Sequence, residues 1–185
     1  MLPNLVKCII NVFIFLIKLW IMETKVKFNV NYDDCTLYVM RIYHVEPRKV
    51  WQYLTEKDLL DKWWAPKPWQ CTTEEFDFRE GGKWKYAMEG PQGEKVYTGT
   101  EFTEITEGRS ISWKDFFLNE DGKIDTTLPS TSWLIGFTGV EEGTKLTFNL
   151  HLPSKENLEQ LLEMGFEEGF TIGLNQLADV LAEDN

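Results

Sequence analysis

Histidine is scarce in this chain: His44 and His151 are the two in 185 residues. Cysteine is almost as rare. Cys8, Cys35 and Cys71 are odd in number, widely spaced and part of no CxxC pair, which argues against both a zinc site and a disulfide framework. No GxGxxG or GxxxxGK segment is present to cradle a phosphate, and no serine lies in a nucleophile elbow. Both histidines are expected on the surface or at a strand end. Carboxylates are plentiful, but none reads as buried and paired. No catalytic residue, metal or cofactor is therefore expected. Basic residues are also in deficit, 19 Lys and Arg against 30 Asp and Glu, for a net charge of -11. Nucleic-acid phosphates need clustered cations, and here the cations are interspersed with acids.

What the chain has instead is aromatic side chains, 14% of residues, with eight Trp and twelve Phe. The most informative run is DFREGGKWKY, Asp77 to Tyr86. Phe76 and Phe78 alternate with Asp77 and Arg79. Beyond Gly81-Gly82, Trp84, Tyr86 and Met88 alternate with Lys83, Lys85 and Ala87. Period-two alternation predicts antiparallel strands with one buried face. The glycine pair between them is expected to supply the positive φ angles of a tight hairpin. Trp84 and Tyr86 then point inward, with Lys83 and Lys85 outside.

A first strand is expected from about Lys25 to Val45, interrupted near Asn31–Asp34. Glu46-Pro47 opens a short helix through RKVWQYL. Thr55 to Asp58 resembles a capping box opening a second, which Pro66 and Pro68 end. Further strands are expected over 95–106, 109–118, 131–139 and 144–152, separated by Gly-containing turns and a polar loop at 119–130. From Pro153-Ser154 onward, Leu158, Leu162, Phe166, Phe170, Leu174, Leu177 and Leu181 recur every three or four residues, which predicts one amphipathic helix of about eight turns. The sum is an α+β domain over residues 22–185. A curved antiparallel sheet of about six to seven strands grips one long C-terminal helix, with two short helices after the first strand.

Residues 1–21 differ from everything after them. Their uncharged run, Cys8 to Ile17 between Lys7 and Lys18, is ten residues, short of the ~20 that span a bilayer. No small-residue cleavage site follows it. The segment is read as an over-extended gene start ahead of Met22, with an interfacial anchor or a signal peptide as the alternatives.

Three segments resemble one known family. Arg41 with Pro47 and Val50-Trp51 is similar to its first strand and helix. Trp63-Trp64-Ala65-Pro66 resembles its WWGP-type helix end, and Phe76 to Gly82 its FDLRPGG hairpin. The terminal helix from Gly169-Phe170 through Leu174 and Leu177 matches a fourth feature, with Phe where Trp is usual. On these motifs the chain resembles the START-like helix-grip (SRPBCC) superfamily, within it the activator of heat-shock protein 90 ATPase homologue-like family. The resemblance implies a cavity between sheet and terminal helix.

The resulting expectation is a non-enzymatic domain that binds an apolar or aromatic small molecule there. Trp84, Tyr86, Trp113, Phe137 and Phe170 are the expected wall, and Trp64 the mouth. The resemblance also implies two alternatives, a co-chaperone-type module that contacts a chaperone and a cyclase- or hydrolase-like enzyme. A buried carboxylate or histidine among the aromatics would favour the enzyme. A cytoplasmic location is expected, with no membrane partner unless residues 1–21 act as an anchor.

Overall fold

The computed structural model describes residues 25–184; the reading of residues 1–21 lies outside them. Eight strands form one antiparallel sheet: β1 (Lys27–Asn31), β2 (Thr36–Tyr43), β3 (Gln70–Phe76), β4 (Lys83–Glu89), β5 (Lys95–Thr106), β6 (Ser110–Leu118), β7 (Thr131–Val140) and β8 (Gly143–His151). Helices α1 (Pro47–Thr55) and α2 (Lys57–Leu60) lie between β2 and β3, and α3 (Lys155–Glu163) and α4 (Phe166–Glu183) close the chain. The sheet order is β1-β2-β8-β7-β6-β5-β4-β3. Strands β3 to β8 therefore run as a meander, and β2 pairs with its last member. The sheet curls without closing, so β1 and β3 are its edges.

The fold class is as the sequence reads, with one strand more than expected. The extra strand arises because the first one folds back on itself. Asn31 Oδ1 accepts from the amides of Asp33 and Asp34 at 3.0 and 3.2 Å, and Cys35 takes a φ of 52°. Such an Asx-type turn reverses the chain within a few residues. β1 then pairs with β2 from Lys27 opposite Met40 to Asn31 opposite Thr36.

Three local expectations need correcting. The terminal helix is two helices, because Gly165 sits at φ +83° and caps α4 from the left-handed region. A right-handed helix cannot run through that conformation. The Thr55 capping box does not form either. The cap of α2 is Glu56, without a side-chain hydrogen bond, and the Thr55 hydroxyl bonds back to the Trp51 carbonyl at 2.9 Å. At the hairpin, Gly81 alone has positive φ, +73°. Gly82 is required for a different reason: a Cβ there would lie 2.1 Å from the Asp77 carbonyl oxygen.

The core lies between the concave face of the sheet and the helices. Leu174, Leu177 and Leu181 of α4 and Leu158 and Leu161 of α3 are buried against it. Tyr43 on β2 donates to the Leu174 carbonyl at 3.1 Å. Tyr53 on α1 donates to the Val180 carbonyl at 3.2 Å. These two bonds tie the front of the chain to its last helix. Lys85 lies outside and pairs with Glu75 on the neighbouring strand at 2.7 Å, while Trp84 and Tyr86 are buried.

Candidate ligand-binding site

The segment after α2 places the central aromatic residue. Gln176, buried on α4, donates to the carbonyls of Trp63 and Ala65 at 3.0 and 2.8 Å and accepts from the Lys67 amide at 2.6 Å. One side chain thus satisfies three backbone groups of a buried turn that has no secondary-structure partner. The turn holds Trp64 in the middle of the concave side. Its ring meets Trp84 at 5.2 Å, Trp113 at 6.0 Å, Trp133 at 6.1 Å, Phe170 at 6.2 Å and Tyr86 at 6.4 Å between centroids. Most of these contacts are edge-to-face, the geometry that aromatic quadrupoles favour.

Beside Trp64 the packing stops, and a cavity of about 240 Å³ opens between sheet and helices. Its floor is Tyr86 and Met88 of β4, Thr98 of β5, Asp115 and Phe117 of β6, and Thr131 and Trp133 of β7. Its roof is Leu161, Met164, Phe166 and Phe170, with Gly165 and Gly169 between them. Val96 and Met164, 37% and 50% exposed, mark the mouth.

Of the six residues expected at the site, the structure brings Trp64, Tyr86 and Phe170 onto the cavity. Trp84 and Trp113 stand behind Trp64 as support, in ring contact with it but off the lining. Phe137 is elsewhere: Trp51 of α1 packs on it at 5.0 Å. It shares the inward face with Trp133, but it lies four residues along β7, where α1 fills the space.

The glycines on the roof do different things. Gly165 breaks the helix. A Cβ on Gly169 would meet only Pro66, at 3.7 Å, and one on Gly173 only the Trp63 and Trp64 carbonyl oxygens, at 3.5 Å. Both are ordinary contacts, so neither glycine is demanded by close packing. Gly169→Ala is expected to stabilise the fold by up to ~1 kcal/mol through helix propensity. Gly165→Ala should destabilise it by ~1–2 kcal/mol through its left-handed φ. Denaturant unfolding of the two variants should show opposite signs.

The sequence reading missed one group of a different kind. Asp115 lies on the cavity, and its carboxyl accepts from the Thr100 hydroxyl. Burial pushes its pKa up to about 7, against a smaller opposing effect of the Thr100 hydrogen bond and the nearby Trp113 indole. Tyr86 is raised well above the ordinary tyrosine value, by burial first and by the neighbouring Asp115 charge second. The Trp64 indole and Thr98 hydroxyl beside it act in the opposite direction.

Tryptophans divide by position. Trp63 donates to the Tyr53 carbonyl and Trp84 to the Thr73 hydroxyl, both at 2.9 Å. The indole N–H groups of Trp64, Trp113 and Trp133 are buried and make no well-formed hydrogen bond among the described residues, although Trp64 faces the Tyr86 hydroxyl and Trp113 the Asp115 carboxyl. Trp64 and Trp133 are the two of these that line the cavity. Neither histidine is there. His44 bonds the Glu142 carbonyl at 2.9 Å, and His151 borders a separate depression lined by residues of β2, β5, β6, β7 and β8. Among the described residues no cluster of His, Cys, Asp and Glu is suited to a metal, and no helix is long and apolar enough to cross a membrane.

Comparison with known proteins places this arrangement. The model of the family described as Activator of Hsp90 ATPase homolog 1-like protein matches residues 44–182. The chain belongs to that family. Among solved structures, protein Ms6760 from Mycobacterium smegmatis is 32% identical, with a TM-score of 0.79 over 84% of this chain and 96% of its own. A protein from Arthrobacter aurescens is 27% identical, with a TM-score of 0.81 over 85% and 91%. Protein NE0264 from Nitrosomonas europaea is 28% identical, with a TM-score of 0.68 over 82% and 96%. No protein of curated function matches in sequence. Family and fold are those of a ligand-binding or co-chaperone-like domain.

Proposed function

We propose that this family member binds an apolar small molecule in the cavity between sheet and C-terminal helices. The observation that carries the reading is the cavity itself. Concave, mostly apolar sites with a few polar groups are where small ligands are held, and this one combines aromatic walls with Asp115, Tyr86 and Thr98. Interiors are otherwise close-packed, and Trp64 at its wall is in ring contact with six other aromatics. Binding is read from intrinsic fluorescence, because Trp64 and Trp133 form part of the wall. A naphthalene-based probe should quench or shift the emission in a saturable way. An unchanged spectrum across a broad set of lipophiles, together with no bound mass in native mass spectrometry, would argue for a closed core.

A second reading is favoured by one observation, the Asp115 carboxyl in the cavity with its pKa raised to about 7. General acids and bases operate with pKa values near the working pH, and the enzyme alternative needs such a group. On that reading Asp115→Asn abolishes turnover of a bound molecule while leaving its affinity within a few-fold. The co-chaperone alternative calls for a large exposed apolar patch. Among the described residues the large exposed apolar side chains are Tyr32, Val96, Ile124, Leu134 and Met164, and two of those rim the cavity.

A further inference from the structure

We infer that the molecule taken by this cavity is uncharged, largely apolar and carries a carbonyl oxygen, which is received by the indole N–H groups of Trp64 and Trp133 and by Asp115 in its protonated form. The inference rests on the cavity being a binding site and names the chemistry of its occupant. The indole nitrogen is a donor and nothing else. Trp64 and Trp133 are 7% and 6% exposed, line the cavity and make no well-formed N–H bond among the described residues; Trp64 has only the Tyr86 hydroxyl beside it. Away from the lining, Trp63 and Trp84 are satisfied, and the Trp113 indole lies by the Asp115 carboxyl. Buried polar groups are ordinarily paired, so two donors on one cavity without a well-formed bond in the chain leave room for an acceptor from outside it. The Thr98 and Tyr86 hydroxyls add further donors at the same end.

The charge of the occupant follows from what surrounds Asp115. β4 brings one other titratable group to it, Tyr86, and β5 brings Thr98 and Thr100. β7 contributes Thr131 and Trp133, and the α3–α4 roof presents Leu161, Met164, Phe166 and Phe170. Among the described residues no cation lines the cavity beside the carboxyl, and burial raises its pKa to about 7 against the opposing contacts of Thr100 and Trp113. A carboxylate ligand would meet no counter-ion and a second acid. An amine would bring donors to a site already rich in them. A carbonyl accepts from the indoles and from the Asp115 hydroxyl together. Above about pH 7 Asp115 is ionised and turns lone pairs toward the carbonyl, so affinity should fall as pH rises.

The test compares acetylnaphthalene with its hydrocarbon analogue isopropylnaphthalene on the full chain, by calorimetry and tryptophan fluorescence. The ketone should bind about tenfold more tightly at about pH 5.5, the difference that one or two net hydrogen bonds make. Most of that advantage should vanish at about pH 8.5. Asp115→Asn should retain it at both pH values, since an amide N–H still donates. Trp133→Phe should reduce it several-fold without altering hydrocarbon binding. Equal affinity of the two probes at both pH values would overturn the inference and leave the binding cavity standing. A naphthylmethylamine probe that binds more tightly than the ketone, and tighter still at high pH, would overturn it too. Failure of every probe to bind would remove the cavity reading itself.

Discussion

Asp115→Asn should make the protein more stable than the wild type at about pH 8 by roughly 2–4 kcal/mol. The reason is linkage. In the folded chain the carboxyl titrates at about 7 rather than 3.8. Between those values the native state keeps a proton that the unfolded state releases, so the folded state loses ground as pH rises. Above the folded pKa both states are ionised, and the full burial penalty of the charge remains. The whole interval is worth ~4 kcal/mol. The lower end of the expected range allows for solvent reaching Asp115, which is half-buried as a residue. Asparagine matches the shape, can accept the Thr100 hydroxyl as Asp115 does, and has no charge to bury. Thermal or urea unfolding from about pH 4 to about pH 8 reads the effect. The advantage of the variant should grow across that range and level off above about pH 7. A difference that stays constant with pH would mean the carboxyl is solvated.

A chain ending at Pro153 should fail to fold cooperatively. That cut removes Leu158, Leu161, Leu174, Leu177 and Leu181, all buried. Each contributes about 1.5–3 kcal/mol of burial, so together they are comparable to the roughly 5–15 kcal/mol that holds a domain folded. It also uncovers Phe148, against which Phe170 packs at 4.9 Å, and leaves Tyr43 without its bond to Leu174. Circular dichroism and dye binding should report a broad, non-cooperative transition with exposed apolar surface. A truncated chain that melts sharply and remains soluble would show that the sheet stands without its helices.

Much of the fold was legible because alternation and helical period leave marks in one dimension. Trp84 and Tyr86 read correctly as an inward pair, and Trp113 as an inward residue of its strand. The same alternation carried Asp115 inward, two residues beyond Trp113. That position held the missing signal: an acid in register with an apolar face, passed over because acids are usually solvated. Gly165 was misread for another reason. A glycine within a helix and a glycine that ends one are the same letter, and the apolar spacing on either side of this one continues nearly unbroken. Phe137 shows the limit of face assignment. The period of a strand tells which side a residue takes, but not which helix will cover that part of the sheet. Gln176 gave no warning at all. Its role is to meet carbonyls at Trp63 and Ala65, more than a hundred residues earlier in the chain, and no local pattern records such a partner.

That long reach makes the cavity a late feature of the folded state. Its central aromatic, Trp64, is held by a turn whose backbone depends on Gln176, and its roof includes Phe166, Gly169 and Phe170 of the same helix. A chain with α4 undocked lacks the roof and the support of Trp64, and so lacks the site. On the proposed binding reading, an occupant of the cavity acts as a fastener between the sheet and α4. Its binding free energy adds directly to the hold of α4 on the sheet, by RT ln(1 + [L]/Kd). On that reading occupancy and closure of the last helix are one equilibrium, and resistance to opening is expected to rise with ligand concentration.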